Sequence, residues 1–341
     1  MSKFTIISHD RKPLRDRLPL PKPLSLFVEP TNLCNFRCTP CVHGSDNTRN
    51  DLKPLRHMEM SLFKKLIGEL EKWEGPKLKL LRLAMLGEPF INPDFCEMVR
   101  IAKEANVAER VDTFSNGSLL TPEIAEKLID CGLDVIRFSI YAAKDSRHHE
   151  VTRTKCSVGK IRDNIKMLRE MRDAKKKTAP YIFVKMFDTY SDENDTFFDL
   201  YKGIADETGL EKVHNATNYS GNDLVKMYYK DNEKENKANQ EYISSLNKER
   251  IACPRPFIAM VINNIGDCLM CTHDPAKGTK IGSAAESTLR ELWEGENMFQ
   301  FRKMLLENQK HKNRICSKCD WFKLFPEEDN VDGFPVERLK K

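Results

Sequence analysis

No stretch of this 341-residue sequence approaches the roughly 18 consecutive apolar residues that a membrane-spanning helix needs. The opening residues, MSKFTIISHDRKPLRDRLPLPKP, have no apolar core of the kind that directs secretion. A cytoplasmic location and no membrane partner are therefore expected. Charge of one sign is also lacking. The 56 Lys and Arg residues face 51 Asp and Glu residues, a net charge of +5 scattered along the chain. A nucleic-acid binder concentrates its cations in a stripe, so no nucleic acid is expected as partner. There is no internal repeat beyond an alternation of strand and helix. With 40% hydrophobic and 31% charged residues the chain is not broadly disordered. Its length allows about two domains, at roughly 150 residues each.

Against these absences stand 11 cysteines. A reducing compartment leaves no use for a disulfide framework. Three cysteines form Cys34-Asn-Phe-Arg-Cys38-Thr-Pro-Cys41, and five lie between Cys253 and Cys319. By chance a C-x3-C-x2-C triplet would occur roughly 0.01 times in such a chain, whereas a lone C-x2-C pair would occur roughly 0.35 times. Three close thiolates suit an iron–sulfur cluster or zinc. They are one ligand short of a closed site, which leaves a position open to a small molecule.

The pattern around the triplet alternates strand and helix. Strands are expected at 24–30, 78–86, 109–117, 134–140, 181–187 and 211–218, with helices at 61–73, 94–105, after Thr121-Pro122, 158–177 and 192–207. Asp94 and Thr121 are candidate caps. The fold class is therefore α/β, a partial (β/α)6 TIM-type barrel whose functional groups gather at the strands' C-terminal ends. The triplet, Gly87-Glu88-Pro89, Ser115-Asn116-Gly117 and Ser139-Ile140-Tyr141 all fall there. Residues 226–250 read as a solvated helix or linker. A strand at 256–264, a turn at Gly266, helix at 287–309 and the Cys316/Cys319 pair suggest a small β-hairpin-plus-helix domain. The boundaries so read are 1–23 (extension), 24–225 (barrel), 226–250 (linker or helix), 251–320 (C-terminal domain) and 321–341 (tail).

C-x3-C-x2-C on the loop after the first strand of such a barrel resembles the radical S-adenosylmethionine (SAM) enzymes. The resemblance implies that Cys34, Cys38 and Cys41 hold a [4Fe–4S] cluster whose open iron binds SAM. It places Phe36 near the adenine, the Gly87-Glu88-Pro89 backbone at the methionyl amine, and Ser115, Asn116, Ser139 and Arg153 at the ribose and carboxylate. Cys253-x12-Gly266-x4-Cys271 followed by Cys316-x2-Cys319 is similar to the SPASM/Twitch pattern in its shorter form. That implies a second, auxiliary [4Fe–4S] cluster on Cys253, Cys271, Cys316 and Cys319, with a four-cysteine zinc site as the alternative.

The chemistry implied is reductive cleavage of SAM to a 5′-deoxyadenosyl radical, which takes hydrogen from the substrate. Oxidation of a small sugar- or cyclitol-like molecule through the auxiliary cluster is expected, with flavodoxin or ferredoxin as electron donor. Epimerisation with a thiol hydrogen donor, Cys268 or Cys156, and peptide modification are the alternatives. Only 33 residues precede Cys34, fewer than a peptide-recognition domain would need. A purely structural iron–sulfur or zinc protein is the non-enzyme reading. Tyr141, Lys185, Asp188 and His214, at or near strand ends, are candidate substrate-facing residues. Cys96 and Cys131 fall within helices at positions suited to packing.

Overall fold

The strand–helix rhythm is realised as one nine-stranded sheet in the order β6-β5-β4-β3-β2-β1-β7-β8-β9. The computed structural model describes residues 12–214, 224–230, 232–246 and 249–340. Six parallel strands come first: β1 (Ser25–Val28), β2 (Leu80–Leu83), β3 (Val111–Ser115), β4 (Val135–Ile140), β5 (Tyr181–Phe187) and β6 (Glu207–Glu211). Their connections carry α1 (Asp46–Asn50), α2 (Met60–Lys72), α3 (Phe95–Glu104), α4 (Pro122–Asp130), α5 (Asp145–Thr152), α6 (Val158–Ala174) and α7 (Glu193–Tyr201). The helices bury their apolar stripes on the outer face of the sheet, as Phe63, Leu66, Ile67 and Leu70 of α2 do. Thr121 caps α4 as expected, its side chain accepting from Ile124 N. Asp94 precedes α3 without capping it through its side chain, and its own N–H is held instead by Asn92.

The sixth strand lies earlier than expected. Gly203 adopts φ of +73°, which ends α7 at Tyr201 and turns the chain back. Glu207–Glu211 then pairs with Phe183–Phe187 of β5. Residues 212–214 leave the sheet, and the rest of the expected strand lies outside the described residues.

The stretch read as solvated contributes two helices to the barrel rim, α8 (Leu224–Tyr229) and α9 (Glu233–Ser245). Val225, Tyr228 and Tyr229 are buried. Tyr228 donates to Tyr141 O at 2.7 Å and Tyr229 to Asp188 O at 2.8 Å. Arg147 of α5 pairs with Glu235 of α9 at 2.9 Å. Part of the segment's polarity is itself buried, since Glu235 and Asn239 are enclosed and paired.

The C-terminal region continues the same sheet. After α10 (Arg255–Ile258), β7 (Ala259–Ile262) lies parallel to β1. The antiparallel strands β8 (Asp267–Leu269) and β9 (Lys280–Ser283) follow, with Gly266 at φ of +92° in the turn. The expected long helix is broken by Gly295 into α11 (Leu289–Glu294) and α12 (Glu296–Leu306).

Residues 321–340 do not form a loose tail. Val331, Phe334 and Leu339 pack with Leu14 and Leu18 of the N-terminal segment and with Phe257 and Leu305. The Arg250 guanidinium donates to Phe325 O and Pro326 O, and Asp332 accepts the Ile251 and Ala252 N–H groups. Phe334→Ala is expected to cost about 3 kcal/mol, read as a lowered urea midpoint of the cluster-loaded protein. A change within about 0.5 kcal/mol would match a surface residue instead.

Candidate functional site

The loop leaving β1 is pinned on three sides. Asn32 donates to Leu52 O and Pro54 O and accepts from Arg56 N. Arg37 N and Thr39 N donate to Thr152 O and Val151 O at the end of α5. Glu88 N donates to Leu33 O at 2.8 Å. These bonds fold the triplet inward above the sheet. Burial, then Cys41 and Glu88, push the Cys34 thiol up to about 12. Burial, Cys41 and Cys34 raise Cys38, and a hydrogen bond from the Tyr141 phenol opposes them. The thiols of the triplet are near enough to raise one another, and a coordinated thiol is deprotonated outright.

The second thiol set lines a small cavity, formed by Cys253, Cys271, Cys316 and Cys319 with Arg255 and Trp321 on its wall. Burial raises all four thiols, Cys253 and Cys319 to about 11 and Cys271 to about 12. Among the described residues no group of three or more His, Cys, Asp or Glu side chains is gathered tightly enough to hold a single ion. Four thiolates on zinc would stand within roughly 4 Å of one another, given Zn–S of about 2.3 Å. Thiols spread round a cavity suit a multi-iron cluster better.

Between the two sets lies the inner face of the sheet. Burial alternates along β5: Ile182, Val184 and Met186 are enclosed, while Phe183, Lys185 and Phe187 keep exposed surface on the interior side. Strand register carries this face round the barrel through Phe27, Arg82, Asp112, Phe114, Arg137, Ser139 and Lys185. Arg82 makes a bidentate pair with Asp112, both bonds 2.6 Å. Lys185 pairs with Glu211 at 2.6 Å.

Several expected cofactor contacts are occupied within the protein. The buried Glu88 carboxylate accepts from Ser115 Oγ (2.9 Å), Asn116 N (2.7 Å) and Phe90 N (3.2 Å). Burial lifts Glu88 to about 7 while those three donors hold it back. Ser115 thus serves Glu88 and Gly117 N. The Asn116 amide closes a network with Asn35 and Ser118. Arg153 donates to Gly44 O at 2.5 Å, clasping the cysteine loop. Phe36 is buried edge-on to His148. Gly87 and Pro89 flank Glu88 at the turn against that loop, and Ser139 makes no side-chain hydrogen bond among the described residues.

The other candidates separate. Tyr141 meets Cys38 and packs edge-on to Phe187. Asp188 organises its own loop, held by Lys212, Asn194 and Tyr190 N, so its carboxylate is not free for substrate. Burial pushes His214 down to about 4. Cys268 pairs with Ile262 on the outer face of the sheet, fully buried in the main apolar core. It lines neither the interior nor the auxiliary cavity, so neither donor nor ligand roles suit it. Cys156 lies on the loop before α6, its thiol directed to Ser157 O. Cys96 and Cys131 pack against the core and contact each other.

Sequence reasoning missed Glu29, whose buried carboxylate accepts from Leu86 N and Asn264 N and ties the ends of β1, β2 and β7. It also missed Arg255 and His273. Arg255 stacks on Trp321 at 4.3 Å and on Phe27 at 5.2 Å. His273 N donates to Cys271 Sγ, and burial followed by Arg255 and Lys185 pushes its ring down to about 3.

The radical SAM superfamily pattern matches residues 28–184, and an iron–sulfur cluster-binding domain of the SPASM type matches residues 253–320. Residues 28–184 are thus a radical SAM domain, followed by a SPASM-type cluster-binding domain. The chain's cofactors are SAM, the SAM-binding [4Fe–4S] cluster and an auxiliary iron–sulfur cluster. The chain is similar to the tungsten-containing aldehyde ferredoxin oxidoreductase cofactor-modifying protein of Pyrococcus furiosus. They are 35% identical over 117 residues, 34% of this chain and 30% of that one. It is also similar to the S-adenosyl-L-methionine-dependent 2-deoxy-scyllo-inosamine dehydrogenase of Niallia circulans, 27% over 78 residues, 23% of this chain and 31% of the relative. The chain thus spans about a third of the length of these relatives. Among solved structures, BtrN in complex with AdoMet and 2-DOIA covers 92% of this chain and 96% of its own, with TM-score 0.56 and 18% identity. Streptococcus suis SuiB bound to precursor peptide SuiA covers 94% and 77%, with TM-score 0.64 and 15% identity. At such identities the likeness is one of fold.

Proposed function

We propose that this chain is a radical SAM oxidoreductase that oxidises a small polar substrate, sugar- or cyclitol-like, using two [4Fe–4S] clusters. The observation that carries the reading is the four-cysteine cavity beside the barrel interior. Four ligands leave no iron open to substrate, so the second cluster is suited to accepting an electron. The dehydrogenase relative supports this reading. The outward burial of Cys268 removes one of the two thiol donors that epimerisation would use.

When bound, the first cluster and SAM supply a 5′-deoxyadenosyl radical able to take hydrogen from an unactivated carbon. The protein's own part is placement. Cys34, Cys38 and Cys41 would hold the first cluster, and Tyr141, just past the end of β4, orients Cys38 through a hydrogen bond. Glu88 fixes the Ser115–Asn116 turn against the SAM side of the loop. Phe114, Phe183 and Phe187 give the interior apolar walls that keep water from a reactive carbon. The reductant is an external one-electron donor of the flavodoxin or ferredoxin class.

Anaerobically reconstituted protein is expected to carry roughly eight irons, two four-iron clusters, and to release 5′-deoxyadenosine from SAM under reductant. Absence of cleavage in iron-loaded protein would overturn the function. Four irons with one zinc would overturn the auxiliary-cluster assignment.

A further inference from the structure

The cations of the barrel interior are concentrated as the chain's overall charge is not. Arg82, Arg110, Arg137, Lys185 and Arg255 face or border it, against Asp112, Glu207 and Glu211. The acids are already engaged. Asp112 is held bidentate by Arg82, Glu211 by Lys185, and Glu207 accepts from the Tyr181 phenol. Arg137 keeps only a long ion pair to Asp112. Its guanidinium comes no nearer than 3.7 Å to Asp112, its Nε is buried without a hydrogen-bond partner, and its side chain is 14% exposed. It lies 5.6 Å from the Phe114 ring and 5.7 Å from the Phe183 ring, which aim the fork while leaving its N–H edge free. Arg255, opposite, is shared with the auxiliary thiols.

We propose that the interior binds an anionic group of the substrate, a phosphate ester or carboxylate, on the Arg137 guanidinium, with Lys185 and Arg82 as flanking charges. This rests on the oxidoreductase reading and narrows its substrate class. A planar fork with free donors matches these oxyanions in a bidentate way. Burial, then Arg82, pushes Arg137 down to about 10, and an arriving anion offsets both effects. The distances suit a sugar-sized molecule. Arg137 lies four residues before Tyr141, which stands just past the end of β4, roughly 13 Å away if the chain stays extended at 3.3 Å per residue, and Tyr141 meets Cys38. A substrate anchored by its anion deep in the barrel presents its far carbons toward the SAM-binding loop.

The test measures equilibrium binding to the reconstituted, SAM-loaded protein by calorimetry. The paired probes are myo-inositol 1-phosphate against myo-inositol, and glucuronate against glucose. At least one anionic probe is expected to bind tenfold or more tighter than its neutral partner, and which one does so separates phosphate from carboxylate. Inorganic phosphate should compete with a phosphate probe. Arg137→Gln should abolish the preference, and Arg137→Lys should restore part of it. Equal binding of charged and neutral probes by the wild type, or a preference that survives Arg137→Gln, would overturn the proposal. The wild-type comparison decides the matter even if a variant fails to fold. Substrate-free SAM cleavage by the wild type tests the oxidoreductase reading separately, so the two failures are distinguishable.

Discussion

Cys38→Ala is expected to lose SAM cleavage altogether while keeping about half of the protein's iron. The triplet supplies three ligands to its cluster on the proposed assignment, so removing one leaves two and no stable site. Loss of partners that merely orient a ligand weakens metal sites by roughly 10–100-fold; loss of the ligand exceeds that. Cys38 is also the most enclosed of the three, 6% exposed and in contact with Tyr141. The C-terminal thiols lie in a separate cavity that no triplet cysteine lines, so their iron should remain. Iron and sulfide analysis with EPR of the reduced variant checks this. Residual 5′-deoxyadenosine formation in Cys38→Ala, or loss of all iron, would contradict the division into two sites. Tyr141→Phe belongs in the same series. It should keep the irons and change the EPR signal of the first cluster, because it removes only a hydrogen bond to a ligand.

How far the site is legible in the sequence depends on whether its parts are local. The cysteine triplet and the helix capped by Thr121 each lie within a few residues, where spacing speaks directly. Glu88 is located by its motif but not understood from it. The motif points to a backbone contact with SAM, whereas the carboxylate builds the β3 turn across 27 and 28 residues of sequence. Arg82, Asp112 and Arg137 escape a sequence reading although a signal is present. Each interrupts an apolar run of a parallel strand, and a charge there has to face the interior. Only strand register reveals that Arg82 meets Asp112 while Arg137 Nε is left without a hydrogen bond. The C-terminal segment reads as a tail because its buried residues, Val331, Phe334 and Leu339, show no period. They are called in by contacts to Leu14 and Leu18 at the other end of the chain.

Gly87→Ala is expected to be the most damaging single-methyl change at the site. An added Cβ at Gly87 would stand 2.2 Å from Thr31 O and 2.7 Å from Leu33 O. Both are backbone atoms, so no rotamer can relieve the clash. Leu33 O also accepts from Glu88 N at 2.8 Å, and Cys34 follows immediately. Relief therefore requires the cysteine loop to move away from the β2 end, breaking that bond and displacing the first thiol. Overpacking costs typically 1–3 kcal/mol where side chains can adjust, and about 3 kcal/mol or more is expected here. Gly68→Ala is the matched control. Gly68 lies inside α2 with nothing within 4 Å of its added Cβ, and helix propensity predicts a gain of up to about 1 kcal/mol. Urea unfolding of the two variants should move in opposite directions. SAM binding, followed by calorimetry on reconstituted protein, should weaken at least tenfold in Gly87→Ala and hold in Gly68→Ala. A Gly87→Ala protein with wild-type stability and SAM affinity would mean that the cysteine loop is not set by its contact with this turn.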